Sequence, residues 1–338
     1  MIQFQSFIRR IAGAAAIACA AVAAHAAPLN VTLLGTGSPV PSNVRFSQSI
    51  LVEAGKDKLL FDLGRGVTIR LAQLNIPFRD VTASFLTHFH SDHLVGLPDL
   101  WLTGWLPTPF ASRTTPMKIY GPKGTVAMTR NLTAAFAEDI RTRIDDEKLP
   151  PAGIAFDAHD IDAGVVYENA GVKVSAFATH HGDLIEYNFG YVIEYDGKKV
   201  VISSDTTYDE RIAAMAKGAD LLIHEVADID PGLLKAYPRF KEIAAHHTTP
   251  EEAGKIFSKA RPKVAAYTHI ITLKANAPLD VPPTEIVART RKTYDGPLAV
   301  GEDLMRFEID GGKVEVLDAR KEKVKLDAGV DRAGSIGE

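Results

Sequence analysis

A single cysteine, Cys19, stands in the 338 residues, so neither an internal disulfide nor a thiolate metal cluster can form. Any metal site must be built from histidine and carboxylate. An excess of one charge is also missing: 38 Lys and Arg face 42 Asp and Glu, for a formal charge of -4. A polynucleotide partner calls for a cationic track, and the bulk composition supplies no basic excess for one. No low-complexity run, long Pro/Gly/Ser linker or second long apolar stretch interrupts residues 27–320, which read as one domain. With 46% hydrophobic and 24% charged residues, the balance is that of a folded soluble protein and not of a disordered chain.

The one long apolar run is N-terminal. Arg9 and Arg10 precede an uncharged Ala/Ile stretch over residues 11–24, followed by Ala24-His25-Ala26, a small-x-small cleavage signal. The stretch is shorter and more alanine-rich than the roughly 20 strongly apolar residues of a spanning helix. Residues 1–26 therefore read as a secretory signal peptide, leaving a periplasmic or secreted chain with no stable membrane span. Cleavage removes two arginines, Cys19 and no acid, which moves the formal charge from -4 to -6. Residues 321–338 are polar and read as a frayed tail.

Between these ends strands and helices alternate. Residues 29–34 form an apolar run entering Gly35-Thr36-Gly37-Ser38-Pro39, and 48–53 with 58–62 bracket a hairpin turn. Residues 67–74 have helical spacing, and 83–87 read as a buried strand. Further strands are expected over 172–178, 189–195 and 199–203, and helices over 208–217 and 250–259, the latter with Thr249 as N-cap and Pro250 at its first turn. Residues 221–224 and 264–268 read as short strands that each end at a histidine. This order predicts mixed sheets with helices outside them.

The chemistry gathers at strand ends. His88-Phe89-His90-Ser91-Asp92-His93 places three imidazoles and a carboxylate within six residues, directly after the strand at 83–87. In extended chain, His88 and His90 point the same way and can grip one cation, while Asp92 and His93 on the following turn can reach a second.

This His-x-His-x-Asp-His run resembles the signature of the metallo-β-lactamase-fold hydrolases, and the resemblance covers nearly all of residues 27–320. It implies an αββα sandwich: two mixed β-sheets face to face with helices outside. It also implies three later ligands in order, matched by His181 in Thr179-His180-His181-Gly182, Asp205 in Ser203-Ser204-Asp205-Thr206 and His269 in Tyr267-Thr268-His269. The implied site holds two Zn²⁺ per chain, with Mn or Fe as substitutes. His88, His90, His181 and Asp205 would hold one ion, and Asp92, His93, Asp205 and His269 the other, with Asp205 bridging. His180 and His181 compete for one inward position, and the Gly after His181 resembles the family's His-Gly step. Within the superfamily, Leu34-Gly35-Thr36-Gly37-Ser38-Pro39, Phe61-Asp62-Leu63-Gly64 and Ile119-Tyr120-Gly121-Pro122 resemble landmarks of the ribonuclease Z and arylsulfatase-like branch.

His247-Thr248-Thr249 resembles that branch's His-Ser/Thr motif, and His224-Glu225 its His-Glu-Ala-Thr motif with Val226-Ala227 in the last two places. A Glu225–His247 pair can pass a proton to a leaving group, or Glu225 can simply fasten a loop. Asp62 can orient a ligand histidine or cap the turn at Gly64-Arg65-Gly66. Residues 99–112 hold both tryptophans, Trp101 and Trp105, and offer either an apolar wall over the site or a core helix that the prolines end near Leu106.

Ribonuclease Z carries a long basic arm for tRNA, and no insertion of that kind is visible here. The expected function is an exported dinuclear hydrolase in which Asp92 and the metals activate water against a small-molecule ester: a phosphodiester, an aryl sulfate or a lactone. Nucleic acid is disfavoured as a partner, and a homodimer is compatible with the sequence. The alternatives are an exported nuclease or cyclic-nucleotide phosphodiesterase of the ribonuclease Z type, or a metal-binding protein without turnover.

Overall fold

The computed structural model describes residues 28–274 and 283–326. The signal peptide read at residues 1–26 lies outside them. The first sheet begins with β1 (Leu29–Gly35), β2 (Ser49–Ala54), β3 (Asp57–Phe61), β4 (Ala83–Phe85), β5 (Met117–Gly121) and β6 (Phe156–Asp160). The chain then builds a second sheet from β7 (Gly164–Asn169), β8 (Val172–Ala178), β9 (Phe189–Tyr195), β10 (Lys198–Ile202), β11 (Leu221–Ile229), β12 (Val264–Leu273) and β13 (Leu298–Val300). It returns to the first with β14 (Arg306–Asp310) and β15 (Lys313–Leu317). The strand orders are β15-β14-β1-β2-β3-β4-β5-β6 and β13-β12-β11-β10-β9-β8-β7.

Alternation along these strands sends one set of side chains between the sheets, where Leu33, Phe61 and Phe85 meet Val174, Tyr191 and Ile223. The other set faces helices. Over the first sheet lie α1 (Val67–Gln73), α2 (Leu97–Trp105), α3 (Thr125–Ala135), α4 (Ala137–Asp145) and α5 (Pro151–Ile154). The second sheet is covered chiefly by α6 (Glu210–Met215), α9 (Pro250–Ala260) and α10 (Thr284–Thr290), while α7 (Pro231–Ala236) and α8 (Phe240–Ala245) stand at its edge beside the cleft. The result is the expected αββα order. No helix among the described residues is long and apolar enough to cross a membrane.

Local signals explain several elements. Gly55, at φ +61°, makes the β2–β3 turn, a conformation that suits a residue without Cβ. Thr249 caps α9 reciprocally with Glu252, each side chain bonded to the other's backbone, which anchors the chain just past His247.

Two expectations are corrected, and the choice left open for the tryptophans is decided. β11 and β12 do not stop at His224 and His269 but run to Ile229 and Leu273. They can continue because His269 is an extra residue: Glu225 pairs with Thr268 and Val226 with Ile270, a bulge that takes up His269 at φ +42°. The tryptophans do not wall the site. Trp101 stacks on Phe156 at 4.6 Å and donates to the Ile154 carbonyl, and Trp105 donates to the Pro150 carbonyl, so both are core anchors on the buried side of α2. Nor is 321–326 loose, since Val324 donates to the Val316 carbonyl and Val324 and Leu326 pack on the core. Trp101→Ala is expected to cost about 3–5 kcal/mol of stability while leaving the histidine cluster intact, as paired denaturant melts and metal analysis would register.

Candidate metal centre and active site

The cluster lies where β4 and β10 run out and β12 bulges at His269, flanked by the loop that leaves β8. β4 delivers Thr87 and His88, and a single turn, Ser91–His93, turns Asp92 and His93 back inward. His88, Asp92, His93, His181, Asp205 and His269 are all buried, and His90 sits at the open side. Their ligand atoms form two groups, His88/His90/His181/Asp205 and Asp92/His93/His269, each with all its atoms within 4.8 Å of one another. Asp205 Oδ2 is shared: it lies 4.0 Å from His88 Nε2, 3.7 Å from His181 Nε2, 3.3 Å from His93 Nε2 and 3.2 Å from His269 Nε2.

These separations fit a metal better than hydrogen bonding. Four ligands at about 2.0–2.1 Å around a tetrahedral ion stand about 3.3 Å apart, and the spacings of His93 and His269 to Asp205 fall there. The buried Nε2 of His88 meets no hydrogen-bond partner among the described residues, and His181 Nε2 faces His90 Nδ1 at 3.2 Å. Burial pushes the imidazole of His88 well down and that of His181 down to about 4, so both present lone pairs at neutral pH. Burial also disfavours charge on His93 and His269, but Asp205 and the other carboxylates outweigh it and raise both. Protons there balance the acids, and a cation would take their place.

The outer hydrogen bonds aim the rings. Asp62, held at φ +59°, accepts from the Thr87 backbone at 2.9 Å and hydroxyl at 3.0 Å, and from His93 Nδ1 at 2.7 Å. Thr87 Oγ1 in turn meets His88 Nδ1 at 2.9 Å. His181 Nδ1 donates to the backbone carbonyl of His246 at 2.8 Å. In each case the outer partner engages Nδ1, which leaves Nε2 turned toward the cavity. Asp62 thus orients two ligands and does not cap the turn at Gly64. Asp62→Ala is expected to weaken zinc affinity by about 10–100-fold in a chelator competition, whereas wild-type affinity would make Asp62 a loop residue only.

His181, not His180, points inward; His180 is half exposed and near Asp183, 3.6 Å away. His224 turns to the helix side, 5.8 Å from the Phe257 ring. Glu225 is buried in the site, where Oε1 accepts from the Thr248 backbone at 2.7 Å and Oε2 meets His247 Nδ1 at 3.2 Å. Burial, reinforced by Asp205, pushes the Glu225 carboxyl up, and burial holds His247 down to about 4. His247 also stacks on His269 at 5.6 Å.

A cleft of about 300 Å³ opens from His90, Asp92, His181, Asp205, His247 and His269 onto a second wall of Pro39, Val40, Phe240, Ile243, Ile271 and Leu273. Sequence reasoning missed Thr87, the His246 carbonyl and this wall. Only Thr87 carried a signal, its place immediately before His88.

Residues 29–236 match a family model described as "Anti-Pycsar protein Apyc1". The chain is 34% identical over 286 residues to ribonuclease Z of Mycobacterium sp. (strain KMS), covering 84% of this chain and 97% of that protein. It is 34% identical over 284 residues to ribonuclease Z of Mycobacterium bovis (strain BCG / Pasteur 1173P2), covering 83% and 98%. Among solved structures, the metallo-β-lactamase fold protein YhfI of Bacillus subtilis superposes with a TM-score of 0.65 at 18% identity, over 83% of this chain and 99% of that one. The short form of human tRNase Z does so with 0.60 at 22% identity, over 83% and 99%. The chain therefore belongs to the ribonuclease Z branch of the metallo-β-lactamase-fold metallohydrolases and is a metal-dependent hydrolase of ester bonds.

Proposed function

We propose that the protein is a phosphodiesterase of the ribonuclease Z type whose substrate is a small phosphodiester. The observation that carries this reading is the meeting of two ligand groups on Asp205 beside the His247–Glu225 pair. The relatives named ribonuclease Z favour a phosphodiester over the aryl sulfate or lactone that the sequence left equally open. Two divalent cations, zinc first and Mn or Fe as substitutes, would supply water activation and charge stabilisation at the scissile group. The chain's own residues do the rest. Asp92 and Asp205 provide the negative charge that retains dications, and Glu225 Oε2 meets His247 Nδ1 at 3.2 Å, so that Nδ1 is engaged and His247 Nε2 is left to face the leaving oxygen and give it a proton.

The small substrate is supported by the cleft of about 300 Å³ and by the connection between β8 and β9, which spans only residues 179–188 and has no length for a tRNA-gripping arm. The second reading, an RNA end, is favoured by the names of the relatives. Assays of the zinc-loaded protein on a cyclic mononucleotide, bis(4-nitrophenyl) phosphate, a precursor tRNA, an aryl sulfate and a lactone decide between them. Turnover of the first two and not of the tRNA is expected. Efficient tRNA trimming would install the second reading, and hydrolysis of the sulfate or lactone alone would overturn the phosphodiester assignment. Export is part of the proposal, and a mature N-terminus at Ala27 is expected on sequencing of periplasmic material; a full-length chain retained in the membrane would contradict it.

A further inference from the structure

The second wall of the cleft has no use in the chemistry above. α8 buries none of its residues in the core, yet it places half-buried Phe240 and 39%-exposed Ile243 on the cleft. On the same cleft Ile271, which packs in a small cluster with Leu233, Leu234 and Ala244, and Leu273 stand two apart on β12 and so share one face. Apart from the histidines and acids already described, the polar side chains along this cleft among the described residues are Ser38 and His246. Such a surface rewards apolar area and offers few groups to read a hydrogen-bonding pattern.

We propose that Phe240 and Ile243 of α8, together with Ile271 and Leu273 of β12 on the same cleft, form a subsite for an uncharged aromatic group carried by the substrate next to its scissile centre. The inference rests on the reading above only in placing the scissile phosphoryl group at the ligand cluster. Selection at this subsite is by apolar surface, so esters with an aromatic group beside the phosphorus are preferred over their methyl counterparts.

The test uses phenylphosphonate and methylphosphonate, two oxyanions differing only in the organic group, titrated calorimetrically into the zinc-loaded full chain. Phenylphosphonate is expected to bind at least about tenfold more tightly, the scale set by burying one ring face. In Phe240→Ala and in Ile243→Ala that preference is expected to shrink to about twofold or less, with metal content at the wild-type level, while Ile243→Leu retains it. Equal or undetectable binding of both ligands by the wild type, or a preference that survives both alanine substitutions, overturns the subsite. A protein that shows the preference but cleaves no phosphodiester leaves the subsite standing and removes the proposed reaction. One that cleaves phosphodiesters without the preference does the reverse.

Discussion

Asp205→Ala is expected to leave the purified protein with neither metal and without measurable hydrolysis, although it is a single buried side chain. Its Oδ2 lies within 4.0 Å of four imidazole Nε2 atoms drawn from both ligand groups, and among the described residues the other carboxylate of the cluster, Asp92, belongs to one group only. Removal leaves five imidazoles converging on a site whose remaining anion is Asp92. Elemental analysis of wild type and variant under zinc-replete conditions, with circular dichroism as the folding check, gives the result; retention of one full equivalent would mean that Asp205 does not bridge. Metal affinity is also expected to fall with pH. His93 and His269 hold their protons more tightly than an ordinary histidine, so protons compete at those two ligands as acidity rises.

His247→Ala is expected to keep its metals and lose turnover by about 10²–10⁴-fold, the range for a lost general acid. The loss should be greater for alkoxide than for activated aryl oxide leaving groups, because a good leaving group departs without a proton. Glu225→Gln should shift the rate in the same direction through the 3.2 Å contact at His247 Nδ1. The structure sets a specific alternative beside this one, because His247 also groups with Asp205 and His269 at ligand spacing. Metal content together with rates on two esters differing only in leaving-group pKa separates the roles. Metal loss, or equal slowing of both esters, makes His247 a ligand or a structural residue.

The candidate ligands were legible in the sequence because chemistry and local chain geometry coincide there. His88, His90, Asp92 and His93 come from one strand end and one turn, so six consecutive residues display most of the site. Asp205 and His181 follow strands whose apolar runs are visible. His269 could be named but its setting could not: apolar residues continue past it, and only the pairing of β11 with β12 reveals that it is a bulge held at positive φ. The cleft wall was illegible for a different reason. Pro39, Phe240 and Ile271 lie far apart in the chain and meet only through tertiary packing. Trp101 and Trp105 advertised themselves by nearness in sequence to the histidines, but α2 lies on the outer face of its sheet, and the indoles find carbonyl partners in the core.

The tether of His181 has one more consequence. The group that holds its Nδ1 is a main-chain carbonyl at position 246, which every amino acid possesses. The identities of residues 231–246 are therefore released from the upkeep of that ligand, provided the end of α8 keeps its seat. β12 has no such latitude, because it carries His269 and the wall residues Ile271 and Leu273 on one continuous strand, where losing a residue would reverse the faces of all that follow. Substrate range can drift through exchange of the α7–α8 segment while hydrolytic competence is inherited unchanged, and β12 is the part of the cleft least free to evolve.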